Sequence, residues 1–265
     1  MCLFFSNQSF AYIARFLLIG SRQEESPMIE LYKFGPAYGL RETGPFVLKL
    51  MAYMKLAGIP FSEHREIDPR KAPKKKIPYI VDEGQEIGDS TFIIKHLKAK
   101  FGDPLAEGLS AQQLATGHAL KVMLEERTYW AGMIYPRWIK TDHHTMLADA
   151  FFGQVPRFIR KTIFKKVVKG VSKAADGHGI GRHSDAEIFE LGLDDIKTIE
   201  TILGDKEFIL GAKPAEVDAA VYAFLHGFAA KVFPTPIQVH IRGSEALMAY
   251  HDRMDALVFE TESIA

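Results

Sequence analysis

The chain has 265 residues, of which 47% are hydrophobic and 25% charged, values that exclude a disordered or fibrous protein and allow one large domain or two smaller ones. Lys+Arg and Asp+Glu each total 33, so the formal net charge is zero and the whole-chain field gives no case for nucleic acid as a partner. The single cysteine, Cys2, excludes an internal disulfide, a Cys-rich metal site, a Cys-x-x-Cys redox pair and an iron–sulfur cluster, and it fits a reducing, cytoplasmic setting.

Residues 1–27 read as a leader or loosely attached extension. Its apolar run from Ser9 to Gly20 is broken by Arg15 and falls short of the roughly 20 residues of a spanning helix. It also lacks the basic start and small-residue cleavage site of a secretory signal. A regular segment opens at Met28. Ile29 to Phe34 predicts a strand stopped by Gly35-Pro36, and Pro45 opens a helix whose apolar residues recur to Leu56. Gly58 caps that helix, Pro60 prevents its continuation, and Phe61 to Ile67 predicts a second strand. A proline-broken basic connector occupies residues 68–76. Residues 77–90 then read as strand, Glu83-Gly84 turn, strand and helix start, with Asp89 or Ser90 as the cap. The order β-α-β, connector, β-hairpin, α is that of a thioredoxin-like domain, here residues 28–103.

The stretch Lys76 to Ile94 resembles the glutathione-binding signature of the glutathione S-transferase family, in which Val/Ile-Pro with a cis peptide precedes a hairpin and an acidic residue with Ser opens a helix. Phe46 to Phe61 resembles the first helix and second strand of the branch that holds failed-axon-connections-like and metaxin-like proteins and their bacterial relatives. The resemblance implies a thioredoxin-like domain followed by an all-helical domain, residues 104–265, with glutathione as substrate or ligand, no metal, and a small hydrophobic electrophile as acceptor. A homodimer is a further family expectation. The residues implied to bind glutathione are Ile77 and Pro78 through the backbone, Asp89 toward the γ-glutamyl ammonium, Ser90 and the helix N-terminus toward its carboxylate, and Lys76 or Lys74 toward the glycyl carboxylate. A strand-opening proline and a simple helix cap are the plainer reading of the same residues.

The family's Cys or Ser before the helix-opening proline is replaced by Gly44, ahead of Pro45, and a second glutaredoxin-like cysteine would fall at Val47. Cysteine-dependent deglutathionylation is therefore excluded at this site. Tyr38 and Thr43 can donate a hydrogen bond to a thiolate, and Arg41 can lower a thiol pKa by its charge. The backbone N–H groups of Gly44 and Phe46 can support the sulfur without any side chain. These options leave two readings open, a transferase and a non-enzymatic scaffold of the same fold.

Asp103 to Ser110 reads as the interdomain linker, and Ser110 caps a long helix to Tyr129. The aromatic run after it, interrupted by Pro136, supplies Tyr129, Trp130, Tyr135 and Trp138 to a substrate cleft or to the core. From Ala148 to Ala175 seven basic residues interleave with apolar ones, a soluble helix with a basic outer face or a peripheral membrane-contact helix. Ala175 to Asp185 reads as a glycine-rich loop, with neither a phosphate-loop Gly-Lys-Ser/Thr nor a zinc spacing. Ser184 to Leu203 predicts a helix, and Gly243-Ser244 opens a last one to about Val258. Between them, Asp218 follows Pro214 by four residues and resembles the structural Asp of the family's helical domain. Ala215 replaces the usual Ser or Thr cap, so Asp218 is expected to satisfy backbone N–H groups in a purely structural role.

Overall fold

Buried Ile29 and Leu31 alternate with partly exposed neighbours and build strand β1 (Ile29–Lys33). The structure is a computed structural model that describes residues 28–37, 39–140, 144–153 and 155–259; the expected leader with Cys2, and Tyr38, lie outside them. Helix α1 (Pro45–Leu56) starts with Pro45 at its first turn. Gly58, at φ +68°, ends it and lets the Ile59 N–H reach back to the Met54 carbonyl at 2.9 Å. Strand β2 (Phe61–Arg65) pairs in parallel with β1, while β3 (Tyr79–Asp82) and β4 (Gln85–Gly88) add antiparallel strands in the order β2-β1-β3-β4. The β3–β4 turn holds Glu83 and Gly84 at φ +51° and +82°, the paired left-handed geometry of a two-residue hairpin. Helix α2 (Ser90–Phe101) returns against the hairpin, where His96 and Lys100 hold the buried Asp82 carboxylate at 2.6 and 2.7 Å.

The remaining elements are helices. Ser110 and Gln113 form a capping box at the start of α3 (Ala111–Met123). The chain then continues in π-helical turns, Leu124–Thr128 and Trp130–Ile139, through the proline expected to interrupt it. A proline has no N–H to donate, and the wider turn accommodates it: the Lys140 N–H bonds Tyr135, five residues back, at 3.1 Å. Helices α4 (His144–Phe152) and α5 (Arg157–His178) follow. The expected glycine-rich loop is shorter than its composition suggests. Helix α5 runs through Gly177, and only Gly179, at φ +101°, stops it. Along α5 the lysines 161, 165, 166, 169 and 173 are exposed, as is Phe158. Among the described residues no helix is long and apolar enough to cross a membrane. Helix α6 (Asp185–Leu203) is capped by Ser184 and Glu187. Helices α7 (Glu216–Phe228), α8 (Pro236–Gly243) and α9 (Glu245–Phe259) complete the domain.

Helix α1 is apolar nearly all round because it lies between α2 of its own domain and α7 and α9 of the helical one. Its one buried charge, Lys49, crosses the seam to Glu125 at 2.6 Å, and burial lowers the ammonium's pKa against that partner. Lys98 bridges Asp103 and Glu216 at the same seam, both at 2.6 Å.

Where α7 meets α9, Tyr222 Oη donates to Asp255 Oδ1 at 2.6 Å, and His226 Nδ1 faces His251 Nε2 at 3.0 Å. Burial, then the charge of His251 when protonated, pushes His226 down to about 4. The unfolded value is about 6.5, so between these two pH values the native chain binds fewer protons than the unfolded one. The neutral ring's contribution is therefore complete above about pH 6.5 and is lost as pH falls through about 4. His226→Gln is expected to flatten this limb. Between pH 7 and 4 the urea-unfolding free energy of the wild type should fall by about 2 kcal/mol more than the variant's. Parallel profiles would refute the assignment.

Candidate functional site

The register of the sheet gathers the site. Tyr32, near the end of β1, pairs with Tyr79 at the start of β3, which pairs with Gly88 at the end of β4. Three connections therefore emerge at one edge of the sheet: the β1–α1 loop, the Ile77–Pro78 peptide and the Asp89–Ser90 helix start. The Ile77–Pro78 peptide is cis, and Ile77 lies just outside the ladder.

Asp89 is the N-cap of α2. Its Oδ1 accepts from the Thr91 and Phe92 N–H groups at 3.0 and 3.4 Å. Its backbone sits at φ +81° and ψ 117°, outside the left-handed helical region and costly to any residue with a side chain. The capping bonds hold it there while the carboxylate stays exposed. Ser90 follows at the first helical position, buried, with its N–H free of the helix ladder as every first-turn N–H is. An anion arriving here meets a hydroxyl, an N–H and the positive end of α2. Lys74 leans over the exposed Phe92 ring at 4.0 Å, and Lys76 is solvent-exposed in the connector.

The β1–α1 loop is organised by a residue that sequence reasoning missed. The buried Glu42 carboxylate accepts from the Gly35 N–H and the Gly44 N–H, both at 2.9 Å. Burial raises its pKa, and these donors oppose the shift. The Gly44 N–H is thus committed and does not face a ligand. Pro45 has none, and the Val47 and Leu48 N–H groups both return to the Gly44 carbonyl. The Phe46 N–H remains as the first-turn donor of α1. Gly44 itself is walled in: a Cβ there would meet the Phe34 ring at 3.0 Å. A serine or cysteine at this position would have to push that ring aside.

The side chains expected beside the thiol divide as follows. Thr43 is buried, and its hydroxyl donates back to the Gly35 carbonyl at 3.4 Å. Arg41 turns to α9, 3.6 Å from Asp255 and over the Phe259 ring at 4.6 Å, where it joins the domains. Arg137, also missed, is buried in the π-helical segment and donates to the Thr43 carbonyl at 3.0 Å. No local pattern marks a contact between residues 94 apart in sequence. Asp218, expected to be structural, is fully buried and accepts from the Ile209 and Ala215 N–H groups, both at 2.8 Å.

A cleft of about 440 Å³ runs from Phe34, Gly35 and Thr43 past Ile67 and Lys71 to Phe151 on α4, so both domains line it. None of the four aromatics offered to the cleft or the core lines it: Trp138 packs on Phe151 with ring centroids 5.2 Å apart, and Tyr129 meets Phe46 edge-on at 5.1 Å. The other two are used elsewhere: Trp130 stacks on His178, and the Tyr135 hydroxyl donates to Asp185.

Residues 45–143 match the model of the glutathione S-transferase N-terminal domain, and residues 192–254 that of the glutathione S-transferase C-terminal domain. The isoprene-epoxide–glutathione S-transferase of Rhodococcus sp. (strain AD45) is 35% identical over 212 residues, 76% of this chain and 87% of that protein. Failed axon connections of Drosophila melanogaster is 31% identical over 76% of this chain and 50% of its own length, so this chain spans only half of that relative. Among solved structures, β-etherase LigF from Sphingobium sp. superposes with a TM-score of 0.63 at 17% identity, covering 90% of this chain and 100% of that one. A glutathione S-transferase of Ceriporiopsis subvermispora, solved with glutathione, gives a TM-score of 0.57 at 14% identity, covering 90% and 99%.

Proposed function

The chain belongs to the glutathione S-transferase family, and we propose that it binds glutathione along the sheet edge and presents the thiolate to a small hydrophobic electrophile. The observation that carries this reading is the convergence at that edge of a cis Ile77–Pro78 peptide and a capped, exposed Asp89 followed by Ser90. In this reading the Asp89 carboxylate receives the γ-glutamyl ammonium, Ser90 and its N–H receive the α-carboxylate, Ile77 pairs with the cysteinyl backbone, and Lys74 or Lys76 meets the glycyl carboxylate. The thiolate sits at the start of α1, supported by the Phe46 N–H and the helix dipole. No side-chain nucleophile is required, because the sulfur comes with the ligand.

The 35% identical relative is named for an epoxide substrate, and the proposed electrophile class includes small epoxides. The thiolate attacks a ring carbon, a carbon–sulfur bond forms, the carbon–oxygen bond breaks, and the resulting alkoxide takes a proton from water. The apolar side chains that line the cleft, Phe34, Ile67 and Phe151, would hold the apolar part of the acceptor.

Calorimetric titration of the purified chain with glutathione, followed by a conjugation assay with a small terminal epoxide, tests the proposal. Saturable binding below millimolar ligand and formation of the thioether are expected. No binding at millimolar glutathione would overturn the reading. Binding without conjugation of any epoxide would reduce it to a glutathione-holding scaffold.

A further inference from the structure

We propose that His226, His251 and Asp255 form a site for one divalent transition-metal ion of the zinc class on the seam between α7 and α9. One ligand atom from each residue lies within 4.8 Å of the others. His251 and Asp255 are four residues apart on α9 and share a face, and α7 presents His226 across from them. His226 Nδ1 stands 3.0 Å from His251 Nε2 and 3.9 Å from Asp255 Oδ1. Two imidazoles bound tetrahedrally at about 2.0–2.1 Å would have their nitrogens about 3.3 Å apart. The required opening is a few tenths of an ångström.

The surroundings fit a ligand set. His251 Nδ1 faces the Asp252 carboxylate at 2.9 Å. That contact keeps the proton on Nδ1 and leaves the Nε2 lone pair aimed inward, the carboxylate–histidine–metal arrangement. The proton between the two rings then belongs to His226 Nδ1. His226 Nε2 is buried with no hydrogen-bond partner among the described residues, so the contact with His251 is the one that holds the proton on Nδ1, and no acceptor at Nε2 competes for it. Metal entry moves that proton to Nε2 and frees Nδ1 to ligate. The two rings, 10° from parallel with centroids 5.3 Å apart, must tilt toward a shared point. Asp255 is steadied by the Tyr222 hydroxyl at 2.6 Å. Arg41, half-exposed and 3.6 Å from the other Asp255 oxygen, is displaced as the carboxylate's countercharge. Two imidazoles and one carboxylate favour zinc over the oxygen-seeking magnesium and calcium.

The test uses the full chain, stripped with a chelator and titrated with ZnCl₂ by calorimetry and with CoCl₂ by visible absorption. One equivalent should bind, and the cobalt form should show d–d bands. His251→Ala should weaken zinc at least about 100-fold and Asp252→Asn about 10-fold, while His183→Ala should leave it unchanged. If His251→Ala does not fold, long-range ¹⁵N–¹H spectra of the wild type decide: zinc should shift the ring nitrogens of His226 and His251 and of no other histidine. The proposal fails if no saturable binding occurs below about 100 μM zinc, if one-equivalent binding survives His251→Ala, or if other histidines shift instead.

Discussion

The double variant Asp89→Asn, Ser90→Ala is expected to bind glutathione about 1000-fold more weakly than the wild type while unfolding within about 1 kcal/mol of it. The choice of Asn separates two roles of one side chain. Its amide oxygen can still accept the Thr91 and Phe92 N–H bonds that cap α2, and Asn, the same size and shape as Asp, meets the same backbone cost at φ +81°. What it removes is the charge offered to the ligand's ammonium. Ser90→Ala removes the hydroxyl offered to the carboxylate. Hydrogen bonds to charged groups are worth about 1.5–3 kcal/mol each, and two of them give the stated factor. Asp89→Ala is the less informative variant, because it also removes the cap, at about 1 kcal/mol. Calorimetry against glutathione and urea unfolding on the same preparation give both readouts. Unchanged affinity in this cap-preserving variant would make Asp89 and Ser90 a helix start and nothing more.

The backbone of this half of the candidate site was legible in the sequence because each signal is local. A proline after a basic connector, a Glu-Gly turn and an Asp-Ser helix start determine their own backbone shapes within a few residues, and strand pairing then brings them to one edge. The other half was not legible. Glu42 does its work by reaching Gly35 and Gly44 at once, and Arg137 by reaching Thr43 from another domain. Nothing in the spacing of these residues announces such contacts. Arg41 misled for the same reason: its position in the loop suggested the thiol, and its partner lies more than 200 residues away at Asp255. The aromatic run went to packing and not to the cleft, and its face could not be assigned because π-helical turns change the periodicity midway.

Asp218→Ala is expected to destabilise the protein by about 4–5 kcal/mol, the largest stability effect of any single substitution argued from this structure. The carboxylate is fully buried and takes three donors: the Ile209 and Ala215 N–H groups at 2.8 Å and the Tyr250 hydroxyl at 3.0 Å. Ala215 occupies the N-cap of α7 and cannot cap it, so this one residue ties together the loop before α7, the helix itself and α9. Truncation would leave buried donors unpaired, each costing about 1–3 kcal/mol, and would open a cavity beside them. Tyr250→Phe removes a donor along with its need for a partner and should cost only about 1 kcal/mol. In Asp218→Ala, adding Tyr250→Phe should therefore cost less than in the wild type, or recover some stability, because the orphaned hydroxyl is gone. Urea unfolding of the four proteins measures the cycle. A loss below about 1.5 kcal/mol for Asp218→Ala, or strictly additive losses, would show that the carboxylate does not hold this junction. The same set also bears on the site at one remove. Helix α7 is the element against which α1 packs, and α1 presents the Phe46 N–H. Loosening the start of α7 should weaken glutathione binding only as far as it unfolds the chain, whereas the Asp89 and Ser90 variants should weaken it in protein that remains folded.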